Sequence, residues 1–188
     1  MPIPLLIGLD LGSGTGLWER LPAAIENNPN NHSRQMKPQK GSHLLRKGRT
    51  SIKNQHYLIT TAVHKRKPIL DYPETAQIIL SSLHWFESQK RIILDAAVIM
   101  PDHLHFVAAL QQDSLERLMH SLKSYTAKKV NAFLHRQGAF WQPQYHDHAL
   151  RKDEALNEVV LYTLNNPVRA GLVENFRDYP YWYCRWSV

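Results

Sequence analysis

The chain has 188 residues, with 43% hydrophobic and 21% charged side chains, enough apolar material for one folded domain with a substantial core. Its formal charge of +7 points to a polyanionic partner, because clustered Lys and Arg bind phosphates with release of counterions. A lone cysteine, Cys184, excludes an internal disulfide and a cysteine-based metal cluster and fits a reducing compartment, and no apolar run approaches the roughly 20 residues that span a bilayer.

The N-terminus, MPIPLLIGLDLG, has no basic segment ahead of its apolar residues and carries Asp10, so it does not read as a signal peptide. Residues 8–16, GLDLGSGTG, resemble the first glycine-rich loop of S-adenosylmethionine methyltransferases. Such a loop works between a strand and a helix, with small residues letting the backbone approach the ligand. Here Pro22 and an Asn/Pro tract follow within a few residues, and the remaining chain lacks the strand–helix repeats of a doubly wound domain. Residues 20–43 are rich in Asn, Pro, Gln and Ser without periodicity and read as a linker or arm. Residues 1–45 are accordingly expected to form an extension, and 46–188 the domain.

From there the pattern tightens. HYLITTAV, 56–63, is β-branched and aromatic and predicts a strand. The basic patch HKRKP follows. Residues 73–90 place Ala76, Ile79, Leu80, Leu83 and Phe86 at helical spacing. IILDAAVIM, 92–100, reads as a buried strand, and HLHFVAAL, after the Pro101-Asp102 turn, as its hairpin partner. Residues 113–135 predict a long basic helix with Leu115, Leu118, Leu122, Ala127, Val130 and Leu134 on its apolar face. WQPQYHDHALR reads as a short extended piece, followed by a helix from about Asp153 to Asn165 that Pro167 ends or kinks. The order β-α-β-β-α-β-α predicts an α+β fold, an antiparallel sheet backed by helices.

Alternation along a strand puts His103 and His105 on one face, where two imidazoles can hold a divalent ion from one side. Taken alone, the pair reads better as two partly exposed strand-end histidines. Two helical tyrosines could join them, and the residue four positions on shares each tyrosine's face. For Tyr125 that residue is Lys129; for Tyr162 it is Asn166. An amide oxygen can complete a metal site beside two imidazoles, whereas an ammonium cannot ligate. Tyr162 also fits a core aromatic on an amphipathic helix.

MPDHLHF, FWQPQYHDHALR and LYTLNNPVRAGLVENFRDYPY, in this order, resemble the REP-associated tyrosine transposases. These belong to the HUH (histidine–hydrophobic–histidine) single-strand nucleases and are related to the single-tyrosine transposases of small insertion sequences. The resemblance runs from about His56 to the C-terminus. It implies a ferredoxin-like core, with His103, His105 and Asn166 as metal ligands and Tyr162 as nucleophile. It also implies cleavage of single-stranded DNA at repetitive palindromic hairpins through a 5′-phosphotyrosine link, with release of a 3′-hydroxyl. His148 matches a position near the family's active site, while His146 has no clear counterpart. The ligand set suits Mn²⁺ or Mg²⁺, and Zn²⁺ would fill it without turnover.

Candidates for holding the DNA backbone are Lys65, Arg66 and Lys67 after the first strand, Lys123, Lys128 and Lys129 on the basic helix, and Arg151, Lys152 and Arg169 around the last one. Individually each reads as solvated basic surface. Arg46, Lys47 and Arg49 are candidates for contacting the short tetranucleotide that accompanies the family's hairpins. Trp141, Tyr145 or the YPYWYCRW tail could stack bases, although Tyr179 and Tyr181 fit packing against the sheet better. The expected protein is a metal-dependent nicking and strand-transfer enzyme, cytoplasmic at the nucleoid, without membrane contact, and monomeric rather than dimeric. The competing reading is a hairpin-binding protein with an unused nuclease site.

Overall fold

The computed structural model describes residues 51–151 and 154–188. The extension expected over 1–45, its glycine-rich loop, Arg46, Lys47, Arg49 and Lys152 lie outside the described residues. Among the described residues the strands are β1 (His56–Ala62), β2 (Ile92–Met100), β3 (His103–Leu110), β4 (His146–Ala149) and β5 (Trp182–Cys184). They form one sheet in the order β4-β1-β3-β2-β5, with every neighbouring pair antiparallel. Helices α1 (Pro73–Ser88) and α2 (Leu115–Phe133) precede β2 and β4, which completes the expected ferredoxin-like order. After β4 come α3 (Leu156–Leu164) and the short α4 (Asn166–Arg169). No helix among the described residues is long and apolar enough to cross a membrane.

One local expectation needs correction. The last helix begins at Leu156 rather than Asp153. Its break falls at Asn165, as expected, just ahead of Pro167, which sits in the first turn of α4, where its missing N–H has no partner to lose. The helical course continues to Arg169, whose N–H donates to Asn165 O at 3.0 Å. The aromatic tail forms β5, which pairs Trp182 with Val98 and Cys184 with Ala96 on the outer edge of β2.

The two sheet faces have different cover. Leu104, Phe106, Ala108 and Leu110 of β3 point into the main core with Leu94, Ala97 and Ile99 of β2. There they meet Ile79, Leu83 and Phe86 of α1 and Leu118, Met119, Leu122 and Val130 of α2. The alternate residues of β3, His103, His105 and Val107, take the opposite face, since successive side chains point to opposite sides. That second face receives α3, which packs on β2 and β3 and buries Val160, Thr163 and Leu164. At a bulge in β2 the buried Asp95 accepts from His56 Nδ1 at 2.7 Å and lies 3.7 Å from Arg185 Nε, joining β1, β2 and the segment after β5.

Lys123 has a structural task. Its Nζ donates to the carbonyls of Gln142, Pro143 and Gln144 at 2.6, 3.1 and 3.1 Å, gathering the loop that leads into β4. Lys123→Met keeps the stem and removes the donor from three carbonyls. It is expected to cost about 1–3 kcal/mol in urea denaturation, the range for stranding buried acceptors. An unchanged midpoint would show that water serves these carbonyls equally well. Trp141 is likewise core and not a base-stacking platform: it is 6% exposed and donates from Nε1 to Thr126 Oγ1 at 2.9 Å.

Candidate metal and tyrosine site

β3 opens at a two-residue turn, Pro101-Asp102, and the neighbouring chain pins both turn carbonyls. Leu70 N–H donates to Pro101 O and Val63 N–H to Asp102 O, each at 2.8 Å. His103 and His105 follow at once, so their strand end is firmly placed. Their rings meet edge to face, with centroids 4.6 Å apart.

Each ring is tied through Nδ1. His103 Nδ1 lies 2.5 Å from Asp102 Oδ1, and His105 Nδ1 lies 2.7 Å from Thr60 Oγ1, its register partner on β1. Both anchors leave Nε2 as the atom able to ligate. Burial pushes the His105 imidazole well below its usual pKa, and the charges of His103, Arg66 and Arg169 act in the same direction against the opposing pull of Asp102. The ring is therefore neutral at neutral pH, the state that binds metal. Burial raises the Asp102 carboxyl, but its hydrogen bond and charge interaction with His103, helped by Arg66, outweigh this and hold it below the ordinary carboxylate range. Two imidazoles with tethered Nδ1 atoms fit a divalent ion.

The tyrosine comes from the helix on the same sheet face. Tyr162 and Asn166 are both half-buried, and Arg169 lies one turn further on, with its guanidinium 4.2 Å from the centroid of the Tyr162 ring. Arg169 also bears on His105, as noted, so one cation acts on both the tyrosine ring and a histidine of the pair. Asn166 Nδ2 donates to Thr163 O at 2.8 Å, which leaves Oδ1 as the atom that could ligate. Among the described residues no three His, Cys, Asp or Glu side chains cluster to hold an ion, and an amide oxygen is the kind of donor that would extend the histidine pair.

The other tyrosine is elsewhere. Tyr125 is 52% exposed on α2, with Lys129 Nζ 5.6 Å from its ring centroid, on the helix-covered side of the sheet opposite the histidines. Lys128 and Lys129 share that outer helix surface. Lys65, Arg66 and Lys67 are exposed just beyond β1, beside the histidine end of the sheet, and Arg151 is exposed just beyond β4. The basic candidates thus divide between two sides of the molecule.

His148 belongs to the histidine face. Antiparallel pairing sets His148 opposite Leu58 and His146 opposite Thr60, so His105, Thr60 and His146 form one row across three strands. His148 Nε2 lies 2.9 Å from Glu154, whose carboxylate also accepts from Arg151 N–H at 2.8 Å, so it braces the loop leading to α3. Sequence alone suggests no role for His146. The alternation in His146-Asp147-His148 was a signal for it, but its placement depends on the β1–β4 register. Thr60 and Asp102 carried no sequence signal of their own.

A family model described as Transposase IS200 like matches residues 51–165. A REP-associated tyrosine transposase of Escherichia coli strain K12 is 28% identical over 92 residues, covering 47% of this chain and 52% of that protein. A Haemophilus influenzae protein named for the same group is 29% identical over 97 residues, 46% of this chain and 55% of that one. The chain thus spans about half the length of these curated relatives. The solved structure of a REP-associated tyrosine transposase bound to a REP hairpin has the same fold, with TM-score 0.57 and 23% identity over 71% of this chain and 79% of that one.

Proposed function

The chain belongs to the IS200-like transposase family, and from that premise we propose that it is a REP-associated, metal-dependent enzyme that nicks and rejoins single-stranded DNA beside palindromic hairpins. The observation that carries the reading is the packing of the Tyr162 helix on the same sheet face as His103 and His105, with the charge of Arg169 acting on both the Tyr162 ring and His105. The hairpin as substrate is inferred from the names of the relatives and from the hairpin in the structural neighbour.

In this reading His103 and His105 hold the ion through Nε2 and Asn166 through Oδ1. A bound Mg²⁺ or Mn²⁺ supplies a Lewis acid that polarises the scissile phosphate. Tyr162 Oη attacks phosphorus, forms the 5′-phosphotyrosine bond and displaces the 3′-oxygen, which takes up a proton and leaves as a 3′-hydroxyl. Arg169 supplies fixed positive charge beside the attacking ring, which favours loss of the phenol proton and steadies the phosphate. Covalent storage of the phosphoryl bond permits rejoining without an energy source. Lys65, Arg66, Lys67 and Arg151 track the backbone near the cut, while Lys128 and Lys129 serve DNA that wraps to the far side. The protein acts as a monomer, in the cytoplasm at the nucleoid.

The test is to incubate the full chain with a 3′-labelled hairpin oligonucleotide carrying a single-stranded flank and look for a labelled covalent adduct on denaturing gels. Adduct with Mn²⁺ or Mg²⁺, and none with chelator, is the expected result. Hairpin binding that is equally tight with chelator, with no adduct under either ion, would replace the enzyme with a binding module.

A further inference from the structure

Behind His103 stands a short chain of charged groups whose backbone setting is unusual. Asp102 Oδ1 faces His103 Nδ1 at 2.5 Å, while Asp102 Oδ2 takes Arg66 Nη1 at 3.2 Å. A carboxylate only accepts, so the ring proton of His103 belongs on Nδ1 and the Nε2 lone pair is exposed. Arg66 reaches Asp102 from a turn in which two successive non-glycine residues, Lys65 and Arg66, adopt left-handed φ of 57° and 53°. Side chains other than glycine rarely take this conformation, and strain of this kind gathers at functional sites. Neighbours hold the turn in place: His64 N–H donates to Phe140 O at 2.7 Å, and Val63 N–H binds the carbonyl of Asp102 itself. The same residue is therefore gripped through both its main chain and its side chain.

His105 has a weaker backing. Its Nδ1 partner is the neutral hydroxyl of Thr60. The two histidines are alike in sequence but differ in the charge behind them.

We propose that Arg66, Asp102 and His103 form a relay that presets His103 as the dominant ligand of the metal centre. Asp102 acts as its positioning residue, and the strained turn exists to deliver Arg66. This rests on the metal-site reading given above. Asp102 holds the ring in the Nδ1–H tautomer and increases electron density at Nε2; Arg66 keeps the carboxylate from rotating away.

The experiment uses the full chain without DNA and has two readouts. Mn²⁺ affinity is measured from the free-ion electron paramagnetic resonance signal, and the His103 tautomer from long-range ¹H–¹⁵N NMR correlations of the metal-free protein in mildly alkaline buffer. Asp102→Ala is expected to weaken Mn²⁺ binding about 10- to 100-fold, the range for loss of an outer-shell partner, and to mix the His103 tautomers. Thr60→Val should weaken it less. Asp102→Asn, which keeps an acceptor of the same shape, should restore the Nδ1–H tautomer while recovering only part of the affinity. Arg66→Ala should fall between Asp102→Asn and wild type. Asp102→Ala with wild-type affinity and a wild-type tautomer, or Thr60→Val as damaging as Asp102→Ala, would overturn the relay while leaving the metal site standing. If His103→Ala binds Mn²⁺ as well as wild type does, the metal-site reading itself falls.

Discussion

Tyr162→Phe is expected to abolish the covalent protein–DNA adduct while leaving hairpin binding and stability near wild type. The substitution removes one hydroxyl, and with it the only atom of this side chain able to attack phosphorus, so the loss should be complete rather than graded. The ring itself remains, and it is the ring that Arg169 covers at 4.2 Å, so the local packing of α3 and α4 persists. Tyr125→Phe is the matched control. Tyr125 stands exposed on α2, across the sheet from the histidines, and its loss should leave the adduct unchanged. An adduct that survives Tyr162→Phe and disappears in Tyr125→Phe would move the nucleophile to the other side of the molecule and dismantle the site as assembled here.

The largest effect on stability is expected one residue away from the histidine pair. Phe106 follows His105 on β3, but it points to the opposite sheet face and is fully buried beneath α1 and α2. Phe106→Ala removes an aromatic ring from the centre of that core and leaves a cavity that fixed neighbours cannot close. The cost is expected at about 3–5 kcal/mol, a large share of the roughly 5–15 kcal/mol that holds a typical domain together. Guanidinium denaturation followed by tryptophan fluorescence measures it. A loss below about 1 kcal/mol, in the range of volume-conserving core swaps, would mean that the core repacks around the gap or that Phe106 is not central. Adjacent residues thus face opposite ways: His105 toward the candidate site, Phe106 into the core.

Much of this was legible in the chain itself. Alternation placed His103 and His105 on a common side, and apolar spacing located α1, α2 and the paired strands to within a few residues. Four-residue spacing joined Tyr162 to Asn166. These signals are local: a strand turns its side chains every second residue and a helix stacks them every third or fourth, whatever the rest of the molecule does. The resemblance of three motifs to a known family then supplied an order for the pieces.

Tertiary structure decided what lies opposite what. Both tyrosine-bearing helices are amphipathic and either could have covered the histidine face. The burial of α2 in the core with Phe106 and Leu110, and of α3 against the other side, puts the Tyr162 helix and not the Tyr125 helix on the histidine face. Register across β3, β1 and β4 aligns His146 with Thr60 and His105, although 41 residues separate the two histidines in the chain. Trp141 and Lys123 read as DNA-binding residues until long-range packing gave one to the core and the other to three carbonyls. Asp102 and Arg66 acquire a shared purpose only through a strained turn 36 positions upstream. Local backbone geometry dictates which residues share a face; which faces meet depends on burying apolar surface between segments distant in the chain, and that is settled only when the whole domain packs.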